Sequence, residues 1–404
     1  MPREDIVIGL DIGTTSIQVV VGSKKKMQEA SQIIGWGEAN SRGVRKGVVV
    51  DIEEAASAIR EAFQKAINHA GIKYNEAVVG IGGSNIFVRP SKGVVIVSRA
   101  DREISKEDIQ RALLQAEAIP ASPNREILHN LAREWTVDGE HGIKDPLGMT
   151  GVKLEVDTLI IECGTSVLKN LRKAVSLAGI KTKELVLSPL AVSYAVLSPR
   201  QKELGTLVLD IGGSTTGLVI FEEGDIFHAA ILGIGSSHAT HDLVYGLQVD
   251  VDTAEKIKRI HGSALAESTS SRDMVDLKKL GGESSIQRRE IAIICEARFS
   301  EIFEMVQKEL KRAGKASMLP GGVVLTGGGS RIPRLDKLAK KDLSLPVSRG
   351  VAQKILGPEE ITQDPVFATA LGLIIWGFDE TFNRVIIDNS NRSGFIGWLK
   401  NFIP

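Results

Sequence analysis

Two rhythms of apolar and polar residues run along this chain. Residues 6–22 read as a strand, a turn and a returning strand. From Asp51 to Ala70 the period becomes helical, with Ile52, Ala55, Ile59, Ala62, Phe63, Ala66 and Ile67 on one face. Asp51 is placed to cap this helix, Glu54 stands at its third position, and Gly71 ends it. Ala77-Val-Val-Gly-Ile81 reads as a strand returning to the same sheet. Strand, strand, helix, strand is half of a doubly wound α/β domain.

The rhythm breaks at Gly82. Residues 82–158 hold extended runs at Asn85 to Val88, Gly93 to Ser98, about Ile127 to Val137 and Val152 to Asp157. They also hold one helix, from about Ser105 to Ala118, opened by the capping box Ser105-Lys-Glu-Asp108. The pattern predicts a small α+β subdomain inserted in the first half. Thr158 to Cys163 is expected to resume the first-half sheet, with helices over Val167 to Ala178 and Pro189 to Leu197. The expected division is 1–81, an insertion at 82–158 and a return at 159–198. A second half follows over 199–232 and 316–387, with an outer, mainly helical part at 233–315, a polar linker at 388–394 and a terminal helix at 395–404.

The chemistry concentrates at two strand turns. Thr206-Leu-Val-Leu-Asp-Ile-Gly-Gly-Ser-Thr-Thr-Gly217 places Asp210, two glycines and three hydroxyls between apolar strands. Glycine lets backbone N–H groups approach a phosphate closely, hydroxyls add donors, and a carboxylate can hold a hydrated divalent metal. Ile8-Gly-Leu-Asp-Ile-Gly-Thr-Thr-Ser16 repeats the device, with Asp11 matching Asp210. Two copies imply two similar halves, each offering a hairpin to one nucleotide. Val323-Val-Leu-Thr-Gly-Gly-Gly-Ser330 supplies a strand end of the kind at which a nucleoside sits.

Charge narrows the partners. Lys plus Arg and Asp plus Glu are both 50, so the net charge is zero, which argues against nucleic acid as the main partner. Cys163 and Cys295 lie in apolar runs and belong to no metal or redox motif, which suits buried thiols in a reducing cytosol. The first strand follows directly on Met1-Pro-Arg-Glu-Asp, so no signal peptide is expected. The longest uncharged run, Pro365 to Phe378, is too short to span a bilayer. His238-Ala-Thr-His241 has no third ligand placed to complete a metal site and reads as the start of a helix.

The two Asp-Ile-Gly hairpins with the Thr-Gly-Gly-Gly-Ser turn resemble the actin, Hsp70 and sugar-kinase ATPase superfamily. Within it the chain resembles the FtsA family of bacterial division proteins, through Gly43-Val-Arg-Lys-Gly47 with Val50-Asp51, Ile81-Gly-Gly83 and Ser188-Pro-Leu-Ala191. The insertion and the C-terminus single that family out. The resemblance implies two actin-like, ribonuclease H-like halves around a nucleotide cleft, with a division-specific subdomain inserted in the first. It implies ATP and Mg²⁺ as cofactors, with Asp11 and Asp210 organising the metal and its chemistry largely through water. Gly13, Thr14, Thr15 and Ser16 would meet the phosphates from one side, and Gly212, Gly213, Ser214 and Thr215 from the other. Gly327, Gly328, Gly329 and Ser330 would line the adenosine end. Asp252-Thr-Ala-Glu-Lys-Ile-Lys258 resembles the family's nucleoside-contacting helix, which carries Glu255 and Lys258 over as binding residues; a plain charged pair on a solvated helix is the alternative. Gly235 stands where the family has a Gly-Gly pair, and here Ser236 replaces the second glycine.

On a helix of about 100° per residue, Phe395, Ile396, Trp398, Leu399, Phe402 and Ile403 fall within an arc of about 160°, opposite Gly397, Lys400 and Asn401. This profile suits a helix lying in a membrane interface, as FtsA proteins carry at that position; the alternative is a helix docked on the protein itself or on a partner. The resulting expectation is a polymerising adaptor, at most a slow ATPase, on the cytoplasmic face of the inner membrane at the division site. Its partners would be FtsZ, later division proteins, further copies of itself and the lipid surface. The alternatives are a PilM-like pilus scaffold, which would lack the terminal helix, and a small-molecule kinase, which would need a catalytic aspartate in a substrate pocket.

Overall fold

The computed structural model describes residues 5–25, 30–118, 123–280 and 285–379. The first half begins with β1 (Asp5–Ile12) and β2 (Ser16–Lys24), an antiparallel hairpin in which Asp11 faces Gln18 and Ile12 faces Ile17. β3 (Ser31–Asn40) extends it. A short hairpin, β4 (Val44–Arg45) and β5 (Val48–Val49), leads to α1 (Ile52–Ala70). The Asp51 side chain accepts from the Glu54 N–H at 3.0 Å, and Gly71 closes the helix in the left-handed region. β6 (Glu76–Ile81) then runs parallel to β1.

The insertion is a four-stranded antiparallel sheet of β7 (Ile86–Ile96), β8 (Arg125–Val137), β9 (Glu140–Ile143) and β10 (Lys153–Gly164), in the order β7-β10-β8-β9. α2 (Lys106–Glu117), capped by the Ser105–Asp108 box, covers one face through Ala112 and Leu113 against Val95, Trp135 and Val156. Thr158 to Cys163 does not resume the first-half sheet. These residues are the second half of β10, paired with Ser91 to Ile86 on one side and Ala132 to Glu126 on the other. A run such as Leu159-Ile-Ile161, buried on both faces, fits any central strand, so its composition could not tell which sheet it joins. After α3 (Thr165–Leu177) the first-half sheet resumes with β11 (Lys181–Leu187), beside β6.

α4 (Ser188–Val196) and α5 (Pro199–Leu204) carry the chain to the second sheet. That sheet holds β12 (Thr206–Ile211), β13 (Thr216–Glu222) and β14 (Asp225–Leu232). The outer part follows: α6 (Ser236–Leu247), α7 (Val251–His261), the small hairpin β15 (Met274–Asp276) with β16 (Ser285–Gln287), and α8 (Arg288–Arg312). β17 (Val323–Thr326) pairs parallel to β12, and after α9 (Leu335–Leu343) comes β18 (Val347–Arg349). Within 316–387, residues 355–356 and 368–378 do not stay with the second half. β19 (Ile355–Leu356) pairs with Ser31 and Gln32 of β3, and after α10 (Glu359–Thr362) the last described helix, α11 (Ala368–Phe378), returns to β1 and β2.

One apolar core therefore draws on both sheets and the insertion. Val7, Val20 and Val78 from the first sheet, Val208, Val219 and Val324 from the second, and Leu131, Leu159 and Ile161 from the insertion surround α4 and α11. Each sheet also has its own outer core, under α1 and α3 in one half and under α6 to α9 in the other.

Candidate functional site

The two hairpin turns have the same internal geometry. The Gly13 N–H donates to the Ser16 carbonyl at 3.1 Å, and the Gly212 N–H to the Thr215 carbonyl at 2.9 Å. They face each other across a cavity of about 880 Å³, with Asp11 and Asp210 at its floor and Thr14, Thr15, Ser16, Gly213, Ser214 and Thr215 around it. The tips nearly touch: a Cβ on Gly213 would stand 2.6 Å from the Thr15 methyl. A side chain there would wedge the hairpins apart.

Both carboxylates keep part of their surface open to the cavity but are withdrawn from bulk water. Burial, and secondarily the charge of Asp210, pushes Asp11 up to about 7. Burial pushes Asp210 up to about 6. Such a pair is poorly compensated by the protein itself. Among the described lining residues the cationic side chains are Lys258 and Arg259 of α7 and Arg331 beyond β17; the hairpins supply none. Oxygen donors without a counter-charge suit a hard divalent cation, with water and phosphate oxygens completing its shell. Among the described residues no cluster of three or more His, Cys, Asp or Glu side chains could hold a metal alone.

The third predicted turn joins the same cavity. Gly327, with φ 79°, Gly328 and Gly329 line it. Ser330 does not reach it: buried, it donates its hydroxyl to the Gly327 carbonyl at 2.7 Å and so ties the turn. Glu255 and Lys258 both reach the wall. Lys258 Nζ lies 2.7 Å from Glu255 Oε2, 2.7 Å from Thr240 Oγ1 and 3.2 Å from the Ser236 carbonyl, so its three donors are engaged within the protein. It fixes Glu255, whose carboxyl burial would raise but Lys258 and Thr240 hold below the usual range. Gly235 precedes α6, its N–H directed at His238 Nδ1.

Several wall residues carry no role in the sequence reading. Gln18, Glu38, Gly47, Gly82, Gly83, Ser188 and Thr369 line the cavity. Four of these lie in the segments that carry the family resemblance, which was the available signal. The Gly47 N–H donates to Thr14 Oγ1 at 3.0 Å, seating the β4–β5 hairpin on the turn between β1 and β2. Arg331 forms a bidentate pair with Asp364, which holds Pro365 and Val366 at the cavity's far wall.

Two sheets joined by paired glycine-hydroxyl hairpins over a shared cleft define an actin-like fold. Solved structures agree. The chain matches a structure of the PilM–PilN type IV pilus biogenesis complex with a TM-score of 0.66 at 18% identity, covering 92% of this chain and 98% of that one. It matches MreB5 of Spiroplasma citri bound to ADP with a TM-score of 0.54 at 15% identity, covering 94% and 97%. At these identities the likeness establishes the fold. Sequence establishes the rest. Residues 207–372 match the family described as cell division protein FtsA, and residues 83–162 match the SHS2 domain inserted in FtsA. Cell division protein FtsA of Pseudomonas aeruginosa is 34% identical over 96% of this chain and 93% of its own length. That of Borreliella burgdorferi is 35% identical over 94% and 93%, and that of Bacillus subtilis 34% over 93% and 84%. The chain belongs to the FtsA family, and its role is in cell division.

Proposed function

We propose that the protein is a nucleotide-dependent adaptor of the division ring. It binds Mg-ATP between its halves, assembles into filaments, holds FtsZ and attaches it to the inner membrane. Later division proteins are recruited to the same assembly. The observation that supports the nucleotide role is the pair of carboxylates, Asp11 and Asp210, brought by matching hairpins to one cavity and raised toward neutrality there. A bound magnesium ion would supply the positive charge this pair lacks and link it to the phosphates. Around it, the backbone of Gly13 and Gly212 to Gly213 and the hydroxyls of Thr14, Thr15, Ser214 and Thr215 position the phosphate oxygens. Glu255, held by Lys258, and the turn at Gly327 to Gly329 receive the nucleoside. Turnover is slow at most, because a scaffold uses nucleotide mainly to hold its halves closed.

Residues 395–403, the proposed amphipathic anchor, lie outside the described residues. Among those that are described, no helix is long and apolar enough to cross a membrane. A nine-residue helix is marginal in water and gains its stability at a lipid interface. A filament presents many such anchors together, so assembly strengthens attachment. The test is co-sedimentation with FtsZ and lipid vesicles, with and without Mg-ATP. FtsZ should pellet with vesicles only when this protein is present, and more with nucleotide. Vesicle binding that ignores the protein or the nucleotide would refute the adaptor.

A further inference from the structure

The inserted subdomain touches the cleft at one end and the second half at the other. It leaves the first-half sheet at Gly82 and Gly83, between β6 and β7. Gly83 has φ 105°, and a Cβ on it would stand 2.8 Å from the Lys46 carbonyl oxygen. A Cβ on Gly47 would stand 2.7 Å from Gly83 Cα, so two backbone segments lie directly on each other. Gly47 in turn donates its N–H to the Thr14 hydroxyl. Thr14, Gly47, Gly82 and Gly83 all line the cavity. The root of the insertion is thus part of the wall beside the first hairpin turn.

The flank of the insertion rests on β14. Lys144, just beyond β9, pairs with Asp225 at 2.7 Å and lies 3.7 Å from Glu223. The Arg133 guanidinium sits 4.5 Å from the centre of the Phe227 ring, and Lys315 of the second half sits 4.4 Å from the same ring. One element therefore spans the phosphate wall of the first half and the sheet edge of the second.

We infer that the insertion is a lever that reads the terminal phosphate: its docking on β14 depends on what occupies the cavity beside Thr14 and Gly83. This rests on the nucleotide reading of the cleft and adds a coupling to it. The physical link is short. With one lone pair of Thr14 Oγ1 taken by the Gly47 N–H, its O–H is left to donate to a phosphate oxygen. A donating hydroxyl is also a better acceptor, so a phosphate there tightens the Gly47 contact. Gly47 lies against Gly83, and tightening it fixes the angle at which β7 departs. Loss of the terminal phosphate releases that angle, and the contacts at Lys144 and Arg133, beside the buried core that Leu131, Leu159 and Ile161 share with the second half, no longer share one geometry with it.

The experiment is amide hydrogen exchange on the full chain, saturated with magnesium and either ADP or a non-hydrolysable ATP analogue. Saturation is checked by calorimetry. Residues 84–90, 125–133 and 140–146 should exchange about fivefold or more slowly with the triphosphate, the low end of usual coupling between sites. A Lys144→Ala, Arg133→Ala variant, altered outside the cleft, should lose that difference between the two states. By reciprocity it should also lose the wild type's preference for triphosphate over diphosphate. Equal exchange in the two states of the wild type, with both nucleotides bound, overturns the lever and leaves the nucleotide site standing. Failure of either nucleotide to bind overturns the cleft assignment and the lever with it.

Discussion

Gly372→Ala is a substitution for which two physical effects predict opposite signs. Gly372 lies inside α11, where alanine favours the helix by about 1 kcal/mol. The structure opposes this. A Cβ at Gly372 would stand 2.0 Å from the Ala191 carbonyl oxygen and 2.4 Å from its carbon, in the middle of α4. That is roughly 1.4 Å short of ordinary contact, and the obstacle is backbone, which cannot rotate away. The two helices must separate inside the core they share with both sheets and the insertion. Overpacking of this kind costs about 1–3 kcal/mol, and the absence of a flexible neighbour puts it at the upper end. A net loss of about 2 kcal/mol is expected. Urea unfolding followed by circular dichroism measures it, with Gly233→Ala as control, because nothing lies within 4 Å of a Cβ there. Ser188 and Thr369, at the starts of α4 and α11, line the cleft, so nucleotide affinity should fall as well. A variant as stable as wild type, or more stable, would mean that propensity prevails and that the close crossing of α4 and α11 is wrong.

Asp11→Asn and Asp210→Asn should each lower Mg-ATP affinity by about tenfold or more while leaving the apo fold at least as stable, since each removes a charge that burial disfavours; unchanged calorimetric affinity in both would remove the assigned cleft. His129 is buried, accepts from the Leu187 N–H at 3.0 Å, and is held down to about 4 by desolvation. The unfolded chain binds that proton near pH 6.5, so stability is full above this pH and falls as pH drops toward 4, by about 2 kcal/mol between pH 7 and 5. His129→Gln should flatten this part of the urea-midpoint profile, and an unaltered slope would count against it. Trp398→Glu, placing a charge inside the terminal apolar arc, should release the protein from vesicles while sparing nucleotide binding; sedimentation equal to wild type would assign the tail to a docked helix instead.

What the sequence made legible was whatever local chemistry encodes. The ends of α1 and α2 are written in their caps, Asp51 with Gly71 and Ser105 with Asp108, and both helices fall within a residue or two of expectation. The two hairpin turns that line the cavity are written in glycine and hydroxyl spacing. What stayed hidden depends on distant partners. β10 looks like any buried strand, and β19 is two residues long, too short to carry a period. The return of α11 to the first half leaves no mark in a helix whose one polar side chain is Thr369. Gly47, Gly82 and Gly83 became part of the cavity only through contacts between loops far apart in sequence. Ser330 illustrates the converse: its glycine-rich turn lines the cavity, but the hydroxyl closes its own turn and does not reach outward.

The return of α11 to β1 and β2 has a consequence for synthesis. The ribosome delivers the amino-terminal sheet first, yet the helix that covers it and the two-residue strand that borders β3 come from residues 355–378. For most of translation Val7, Val20 and Val78 have no lid, and β3 is a bare edge. At about 5–20 residues per second, the roughly 300 intervening residues take on the order of 15–60 s to emerge. The nascent chain must spend that interval with an apolar sheet face open to its neighbours, and it can complete the first half only once residues 355–378 have emerged.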